Sequence, residues 1–157
     1  MASAKPADKA PKFTVPTTAG KFRLGDQGRE NLVVYFYPRD NTPGCTLEGI
    51  DFRDLAPAFT RAGTRILGIS TDSLESHRKF REKMKFPFDL GADTDHAVAS
   101  QFGVWKQKNM YGRKVMGIER STFLIDAAGR IRREWRKVRV KGHAAEVLAA
   151  ARELRAC

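Results

Sequence analysis

Cysteine is scarce in this chain: Cys45 and Cys157 are the only two among 157 residues, and they lie far apart in the sequence. A small secreted scaffold held together by disulfides would need more cysteines than this. A chain of this length can instead bury a hydrophobic core of its own in a single domain. Because these two cysteines do not form a disulfide framework, we ask whether either thiol is chemically reactive.

Long apolar runs are also missing. No segment approaches the ~20 apolar residues that a membrane-spanning helix needs, and residues 1–9 lack the apolar stretch of a secretory signal. We therefore predict a cytoplasmic protein that does not enter a membrane. No group of His, Cys, Asp and Glu has the spacing of a metal site, and we predict that the protein needs no metal or organic cofactor.

Negative charge is in deficit, since 18 Asp and Glu face 29 Lys and Arg, which gives a net charge of +11. Such a field attracts polyanions and small anions. The densest basic stretch, residues 130–141, holds seven Lys or Arg against Glu134 alone. Its pattern is that of a strand, and charged residues on an edge strand ordinarily guard against aggregation. We favour that interpretation over a nucleic-acid interface.

Strand and helix patterns alternate along the chain. Residues 31–37 form a nearly continuous β-branched and aromatic run, which is typical of a strand buried on both faces. A second strand is predicted over 64–70. The remaining predictions are helices starting at Thr42, Ser73, Asp95 and Gly142, a break or kink at Pro57, a loop over 105–117, and a hairpin joining 121–126 to 131–138.

This order of elements predicts an α/β, thioredoxin-like fold: a mixed central sheet flanked by helices, with an N-terminal hairpin extension. We expect a single domain over residues 13–157. Residues 1–12 are polar and rich in Lys, Ala and Pro, so we expect a flexible N-terminal segment there.

Cys45 is predicted in the first turn of the helix that follows the first buried strand. Thr42 is a favourable N-cap and Pro43 suits the first helical position, so Cys45 falls third in the helix. The free N–H groups and the positive end of the helix dipole there favour thiolate over thiol. Open α/β sheets also bind their ligands at this edge. The alternative is an inert buried thiol.

The residue types around Cys45 narrow its chemistry. Position 42 is Thr and position 48 is Glu, so neither completes a Cys-x-x-Cys dithiol. A cysteine hydrolase would need a histidine base oriented by a third group, and none of the three histidines lies in a motif that pairs it with Cys45. A hydroxyl three residues before the cysteine suits an oxidant better, because it can hydrogen-bond one peroxide oxygen while the thiolate attacks the other.

The segment Pro38-Arg-Asp-Asn-Thr-Pro-Gly-Cys45 matches the Pro-x-x-x-Thr-x-x-Cys pattern of the peroxiredoxins. From about Phe13 to Leu148 the chain resembles the peroxiredoxin Q class, also called bacterioferritin comigratory protein. The strings that carry the longer match are 37–48, 67–72, 102–105, 110–112 and 116–126. The resemblance implies an antioxidant thiol peroxidase that reduces hydrogen peroxide and organic hydroperoxides to water and alcohols through a Cys45 sulfenic acid.

The resemblance also implies a role for each matching residue. Cys45 would be the peroxidatic cysteine, Thr42 would position the peroxide, and Pro38 would shield the sulfur from water. Arg120 would stabilise the thiolate and the charge that develops during attack. Glu48, one turn beyond Cys45, either orients an arginine or is an ordinary solvated helix residue.

The chain departs from the class at the resolving cysteine. Members that carry it on the same helix have it five residues after the first cysteine, where this chain has Ile50, and the helix predicted over 73–85 contains no cysteine. Cys157 is the only internal candidate, and we disfavour it because nothing in the sequence shows that it reaches Cys45. We predict a one-cysteine cycle with an external thiol as reductant, such as thioredoxin or glutaredoxin with glutathione.

Two further expectations concern partners. We expect a monomer or weak dimer. A basic nucleic-acid-binding module, using residues 130–141 and 106–114 with interleaved aromatics, and a holdase-like module remain as alternatives of a different class.

Overall fold

The computed structural model describes residues 8–156 of the chain. In chain order the strands within them are β1 (Thr14–Thr17), β2 (Gly20–Arg23), β3 (Asn31–Phe36), β4 (Thr64–Ser70), β5 (Asp89–Ala92), β6 (Trp105–Met110), β7 (Arg113–Ile118), β8 (Ser121–Ile125) and β9 (Ile131–Trp135). The helices are α1 (Pro43–Arg61), α2 (Leu74–Met84), α3 (Ala97–Gln101) and α4 (His143–Ala156).

The central sheet is mixed, with strand order β2-β1-β5-β4-β3-β8-β9. β3 pairs in parallel with β4, and β4 in parallel with β5, so α1 and α2 are the crossover connections that parallel neighbours require. β3 pairs antiparallel with β8 on its other side. This is the thioredoxin-like α/β fold predicted from the order of elements, and that prediction is confirmed.

Both faces of the sheet are buried, and β3 supplies both in alternation. Val33, Tyr35 and Tyr37 belong to the apolar cluster under α1, α2 and α4, whereas Leu32, Val34 and Phe36 belong to the cluster on the opposite face. Successive side chains of a strand point to opposite faces, so a strand buried on both sides carries apolar residues at every position. The start of α1 is thereby attached to the most deeply buried strand of the sheet.

Residues 105–117 form a hairpin of β6 and β7 rather than the predicted loop. Tyr111 and Gly112 make the turn with positive φ angles of 53° and 78°, as a tight two-residue hairpin turn requires. Most side chains of these strands are exposed on both faces. A two-stranded ribbon of this kind lacks the apolar alternation by which strands are predicted, which is why the sequence pattern missed it.

α1 runs without a break through Pro57, because the exposed position of that residue leaves water to satisfy the carbonyl group freed by the missing N–H. The predicted flexible segment, residues 1–12, is described from residue 8 onward. The N–H of Ala10 donates to Gly129 O (2.8 Å), the N–H of Ile131 donates to Asp8 O (2.8 Å), and Ala10 is buried. Residues 1–7 lie outside the described residues.

The basic stretch over 130–141 begins in β9, which is an edge strand of the sheet, as predicted. Its aromatic side chain is engaged within the protein, since the indole N–H of Trp135 donates to Glu146 (2.7 Å). Trp105, in the other basic segment, stacks on His96 with a ring separation of 4.2 Å. Tyr111 at the hairpin tip is fully exposed. Both tryptophans therefore pack against the protein's own side chains. No helix within residues 8–156 is long and apolar enough to cross a membrane.

Candidate active site

Cys45 lies in the first turn of α1, as predicted. Thr42 is the N-cap with an extended backbone (φ −93°, ψ 154°), and Pro43 opens the helix. The N–H of Thr46 closes the first turn on Thr42 O at 2.9 Å. Cys45 is 2% exposed. The sulfur thus combines burial with the free N–H groups of a helix start, which are arranged to stabilise negative charge.

Arg120 contacts Cys45 and directly precedes β8, the strand that pairs with β3 on the side opposite to β4. The register of β3 and β8 sets Phe36 opposite Ser121, so the residue before β8 lies at the end of β3 where the loop to α1 begins. Nη2 of Arg120 donates to Cys45 Sγ at 3.3 Å. The guanidinium is a permanent cation with fixed donors. It is therefore placed to hold the sulfur as a thiolate.

Glu48 is buried, not solvated: it is 1% exposed and its Oε1 accepts from Arg120 Nη1 at 2.5 Å. Burial raises the pKa of Glu48 to about 7, against the opposing pull of Arg120. Within the described residues, its second oxygen has no hydrogen-bond partner. Burial alone would lower the pKa of Arg120, but the charges of Glu48 and Cys45 outweigh burial and raise it. The helical repeat places Glu48 and Cys45 on one face, where a single arginine serves both.

Thr42 and Pro38 precede Cys45 in the segment that joins β3 to α1. The hydroxyl of Thr42 donates its hydrogen to Arg39 O at 2.9 Å, which leaves its oxygen lone pairs as acceptors. Pro38 follows β3 directly and is half-buried. Cys45, Arg120 and Glu48 are in direct contact, and Cys157 lies outside the described residues.

Sequence reasoning missed Lys108. Its side chain is half-buried on β6, and its methylenes lie against Gly117 on the paired strand. Burial and the nearby charge of Arg120 lower the pKa of Lys108, while the charge of Cys45 acts in the opposite direction. Lys108 therefore interacts electrostatically with both Arg120 and Cys45. A loop prediction for residues 105–117 gives no facing direction for any side chain, so the sequence does not indicate this residue.

The second group that was missed is a buried polar cluster around the loop before α1. The Asp40 carboxylate contacts Tyr37, Ser76 and His77. Asp40, Asp72 and His77 bring ligand-type atoms within 4.8 Å of one another. All three groups already hydrogen-bond to protein atoms, so the cluster is explained without a metal.

None of the three histidines contacts Cys45. His77 pairs with Asp40, and His96 stacks on Trp105. His143 Nε2 lies 2.8 Å from the Thr122 hydroxyl, and burial lowers its pKa to about 4, so it stays neutral. The arrangement lacks the cysteine–histidine pair of a cysteine hydrolase, in agreement with the sequence argument.

A thioredoxin-like fold with a buried cysteine at a helix start, in contact with an arginine, is typical of proteins that use a cysteine thiol for chemistry. Comparison with known proteins identifies the family within this class. The sequence pattern of the AhpC/TSA family matches residues 6–134. Peroxiredoxin Bcp of Xanthomonas campestris is 56% identical over 119 residues, covering 76% of this chain and 74% of that protein. Peroxiredoxin Bcp of Bacillus subtilis is 50% identical over 141 residues, covering 89% and 90%.

A solved structure agrees with the sequence comparisons. The bacterioferritin comigratory protein of Xanthomonas campestris, studied for its alkyl peroxide reduction activity, superposes with a TM-score of 0.86 at 47% identity, covering 91% of this chain and 92% of that one. The chain belongs to the AhpC/TSA family and, within it, to the peroxiredoxins of the Q, or bacterioferritin comigratory protein, class. It is a peroxidase that uses hydroperoxides as substrates and a thiol as reductant.

Proposed function

We propose that the chain reduces hydrogen peroxide and organic hydroperoxides through a sulfenic acid at Cys45, in a one-cysteine cycle completed by an external thiol. The observation that carries this proposal is the contact of Arg120 Nη2 with the buried Cys45 sulfur at 3.3 Å. A thiolate is the nucleophilic form of cysteine, and a fixed cation beside it favours that form.

In the proposed first step, the Cys45 thiolate attacks the terminal oxygen of the hydroperoxide. The O–O bond breaks, the alkoxide or hydroxide leaves and takes up a proton, and the sulfur becomes a sulfenic acid. Thr42 accepts a hydrogen bond from the peroxide O–H, because its own hydrogen is committed to Arg39 O. Arg120 balances the charge as it moves from sulfur to the leaving oxygen. Pro38 limits access of water to the sulfur.

In the proposed second step, an external thiol attacks the sulfenic sulfur, releases water and forms a mixed disulfide. A second thiol then releases the Cys45 thiolate and leaves as a disulfide with the first. Thioredoxin, or glutaredoxin with glutathione, is the kind of reductant that supplies two such thiols. Ile50 and the cysteine-free α2 support an external source. A cytoplasmic location and a monomer or weak dimer complete the proposal.

The test compares Cys45→Ser with Cys157→Ser in peroxide consumption, using hydrogen peroxide and cumene hydroperoxide with a thiol reductant. We expect Cys45→Ser to lose consumption of both substrates and Cys157→Ser to keep the parent rate. Mass spectrometry of the parent after one equivalent of peroxide should find one added oxygen, or a mixed disulfide, at Cys45. Peroxide consumption retained by Cys45→Ser would overturn the assignment of the nucleophile.

A further inference from the structure

The loop between β3 and α1 carries a carboxyl group that contacts three buried or half-buried side chains. Asp40 accepts from the Tyr37 hydroxyl at 2.6 Å and from the Ser76 hydroxyl at 2.8 Å, and its Oδ2 lies 2.7 Å from His77 Nδ1. Burial, and next the charge of Asp40, raise the pKa of Tyr37 well above its usual range, so the phenol keeps the hydrogen that it donates. Three hydrogen bonds, two from α2 and one from Tyr37 at the end of β3, thus hold this one side chain.

Both ring nitrogens of His77 are engaged. Nε2 lies 2.8 Å from Gly91 O, which can only accept a hydrogen bond, so Nε2 carries a hydrogen. Nδ1 lies 2.7 Å from Asp40 Oδ2. The two side chains form a hydrogen-bonded pair away from solvent, because His77 is 0% exposed and Asp40 8%. Removing one partner of such a pair leaves a buried polar group without its hydrogen bond.

The loop that holds Asp40 is attached at its backbone as well. The N–H of Asp40 donates to Asp72 Oδ2 at 2.8 Å, so both the main chain and the side chain of Asp40 are held in place. Asn41 follows with a left-handed backbone of φ 63°, a conformation that asparagine adopts more readily than most residues. Thr42, two residues after Asp40, is the N-cap of α1.

We propose that Asp40 and His77 are positioning residues for the oxidation of Cys45. The Asp40–His77 pair fixes the loop against α2 and β5, and the fixed loop sets the Thr42 hydroxyl and the first turn of α1 around the sulfur. Neither residue is seen to touch the sulfur, and they act through the backbone of residues 40–42. This inference rests on the proposed role of Cys45 as the nucleophile. Its physical basis is that misplacing a reacting group by about 1 Å can cost a factor on the order of 10² in rate.

The test measures the second-order rate of Cys45 oxidation by hydrogen peroxide in Asp40→Asn, His77→Gln and the double variant, at a temperature where each is folded. We expect each single variant to slow oxidation on the order of tenfold. The double variant should be no slower than the slower single variant, because the two residues act as one unit. Ser76→Ala removes one donor and leaves the Asp40–His77 contact in place, so it should slow oxidation by less than either single variant.

The control for stability is Ile131→Ala, which opens a cavity in the apolar cluster on the opposite face of the sheet. It should lower Tm and keep the parent oxidation rate. Single variants that lower Tm but oxidise at the parent rate would show that the Asp40–His77 pair serves only the fold. A ¹⁵N spectrum of the parent should show both ring nitrogens of His77 in hydrogen bonds, and a ring nitrogen free of one would overturn the proposal even if the variants failed to fold. Loss of the Cys45 assignment itself would appear separately, as peroxide consumption by Cys45→Ser.

Discussion

Arg120 bridges a carboxyl group and a sulfur: its Nη1 lies 2.5 Å from Glu48 Oε1 and its Nη2 lies 3.3 Å from Cys45 Sγ. One guanidinium thus serves a carboxylate and a sulfur that are one helical turn apart. Glu48 is almost fully buried, so desolvation dominates and raises its pKa to about 7. Around neutral pH Glu48 is therefore partly protonated. In the protonated form it no longer offsets the charge of Arg120, which then acts on the sulfur alone.

Arg120→Ala should slow the attack of Cys45 on hydrogen peroxide by a factor on the order of 10² or more, as loss of one positioned donor can. The same substitution should move the rate of Cys45 alkylation by iodoacetamide to higher pH, because a nearby cation favours the thiolate. Stopped-flow oxidation and alkylation against pH measure the two effects.

Arg120→Lys is the matched control for charge. Lysine keeps the charge but lacks the fork that reaches Glu48 and Cys45 together, so this variant should fall between the parent and Arg120→Ala. If the oxidation rate and the pH dependence of alkylation in Arg120→Ala both equal those of the parent, the arginine contributes to the fold alone.

Glu48→Gln should change how stability depends on pH. The ordinary pKa of a glutamate is 4.5, and burial raises that of Glu48 to about 7. Between these values the folded state holds a proton that the unfolded state has released, so the contribution of Glu48 to stability falls as pH rises. The loss amounts to about 3 kcal/mol across the interval from 4.5 to about 7. Glutamine does not titrate, so the free energy of unfolding of the variant should rise relative to that of the parent, by about 3 kcal/mol, as pH rises through this interval.

Urea unfolding of parent and variant at pH 5 and pH 8 provides the measurement. Glu75→Gln on α2 is the control, since Glu75 is 80% exposed and pairs only with the exposed Lys79. It should leave the pH dependence of stability as it is in the parent. A difference between Glu48→Gln and the parent that is the same at both pH values would contradict the assigned ionisation.

The helix start could be predicted from the sequence because its determinants are local. Thr42, Pro43 and the apolar run before them fix the position of Cys45 in α1 without reference to the rest of the chain. The contact with Arg120 joins residues 75 positions apart, and no local pattern encodes it. Family resemblance alone indicated that residue.

The burial of Glu48 also could not be predicted from local sequence. Helical spacing predicts that it shares a face with Cys45. What covers that face depends on β8, so the sequence left burial and exposure equally open. Asp40 and His77 belong to separate elements whose approach follows from the crossover through β4. Their pairing had no signal in the sequence pattern.

Gly44→Ala should slow Cys45 oxidation several-fold with little change in stability. A methyl group at this position would stand 3.2 Å from Arg120 Nη2, the nitrogen that donates to the sulfur. The guanidinium can shift slightly to relieve this contact, and the shift lengthens its hydrogen bond to Cys45. Oxidation kinetics and thermal unfolding of the same preparation separate the two effects.

Gly49→Ala is the matched control on the same helix. Its added methyl group would overlap the ring of Phe86, which has no room to move in the core. We expect a loss of about 1–3 kcal/mol in stability, as overpacking typically causes, with oxidation close to the parent rate below Tm. A Gly44→Ala variant that oxidises as fast as the parent would show that the position of Nη2 tolerates this displacement.

The last prediction concerns recycling: Cys157→Ser should turn over like the parent. α1 extends from Cys45 near its start to Arg61 at its end, a length of roughly 24 Å at 1.5 Å per residue. The side chain of Arg155 on α4 lies against Gly63, just beyond the far end of α1. A disulfide requires Cα atoms within about 7 Å of each other. The contact of α4 with the end of α1 opposite to Cys45 therefore supports a cycle that does not use Cys157.

Turnover of parent and Cys157→Ser with thioredoxin and its reductase, and separately with glutaredoxin and glutathione, tests this. Non-reducing mass spectrometry after one equivalent of peroxide should show Cys45 as a sulfenic acid or a mixed disulfide with the added thiol. Serine at position 157 leaves both products unchanged, because the external thiol attacks the sulfur of Cys45 directly. A Cys45–Cys157 disulfide in high yield, together with turnover lost in Cys157→Ser, would establish a two-cysteine cycle.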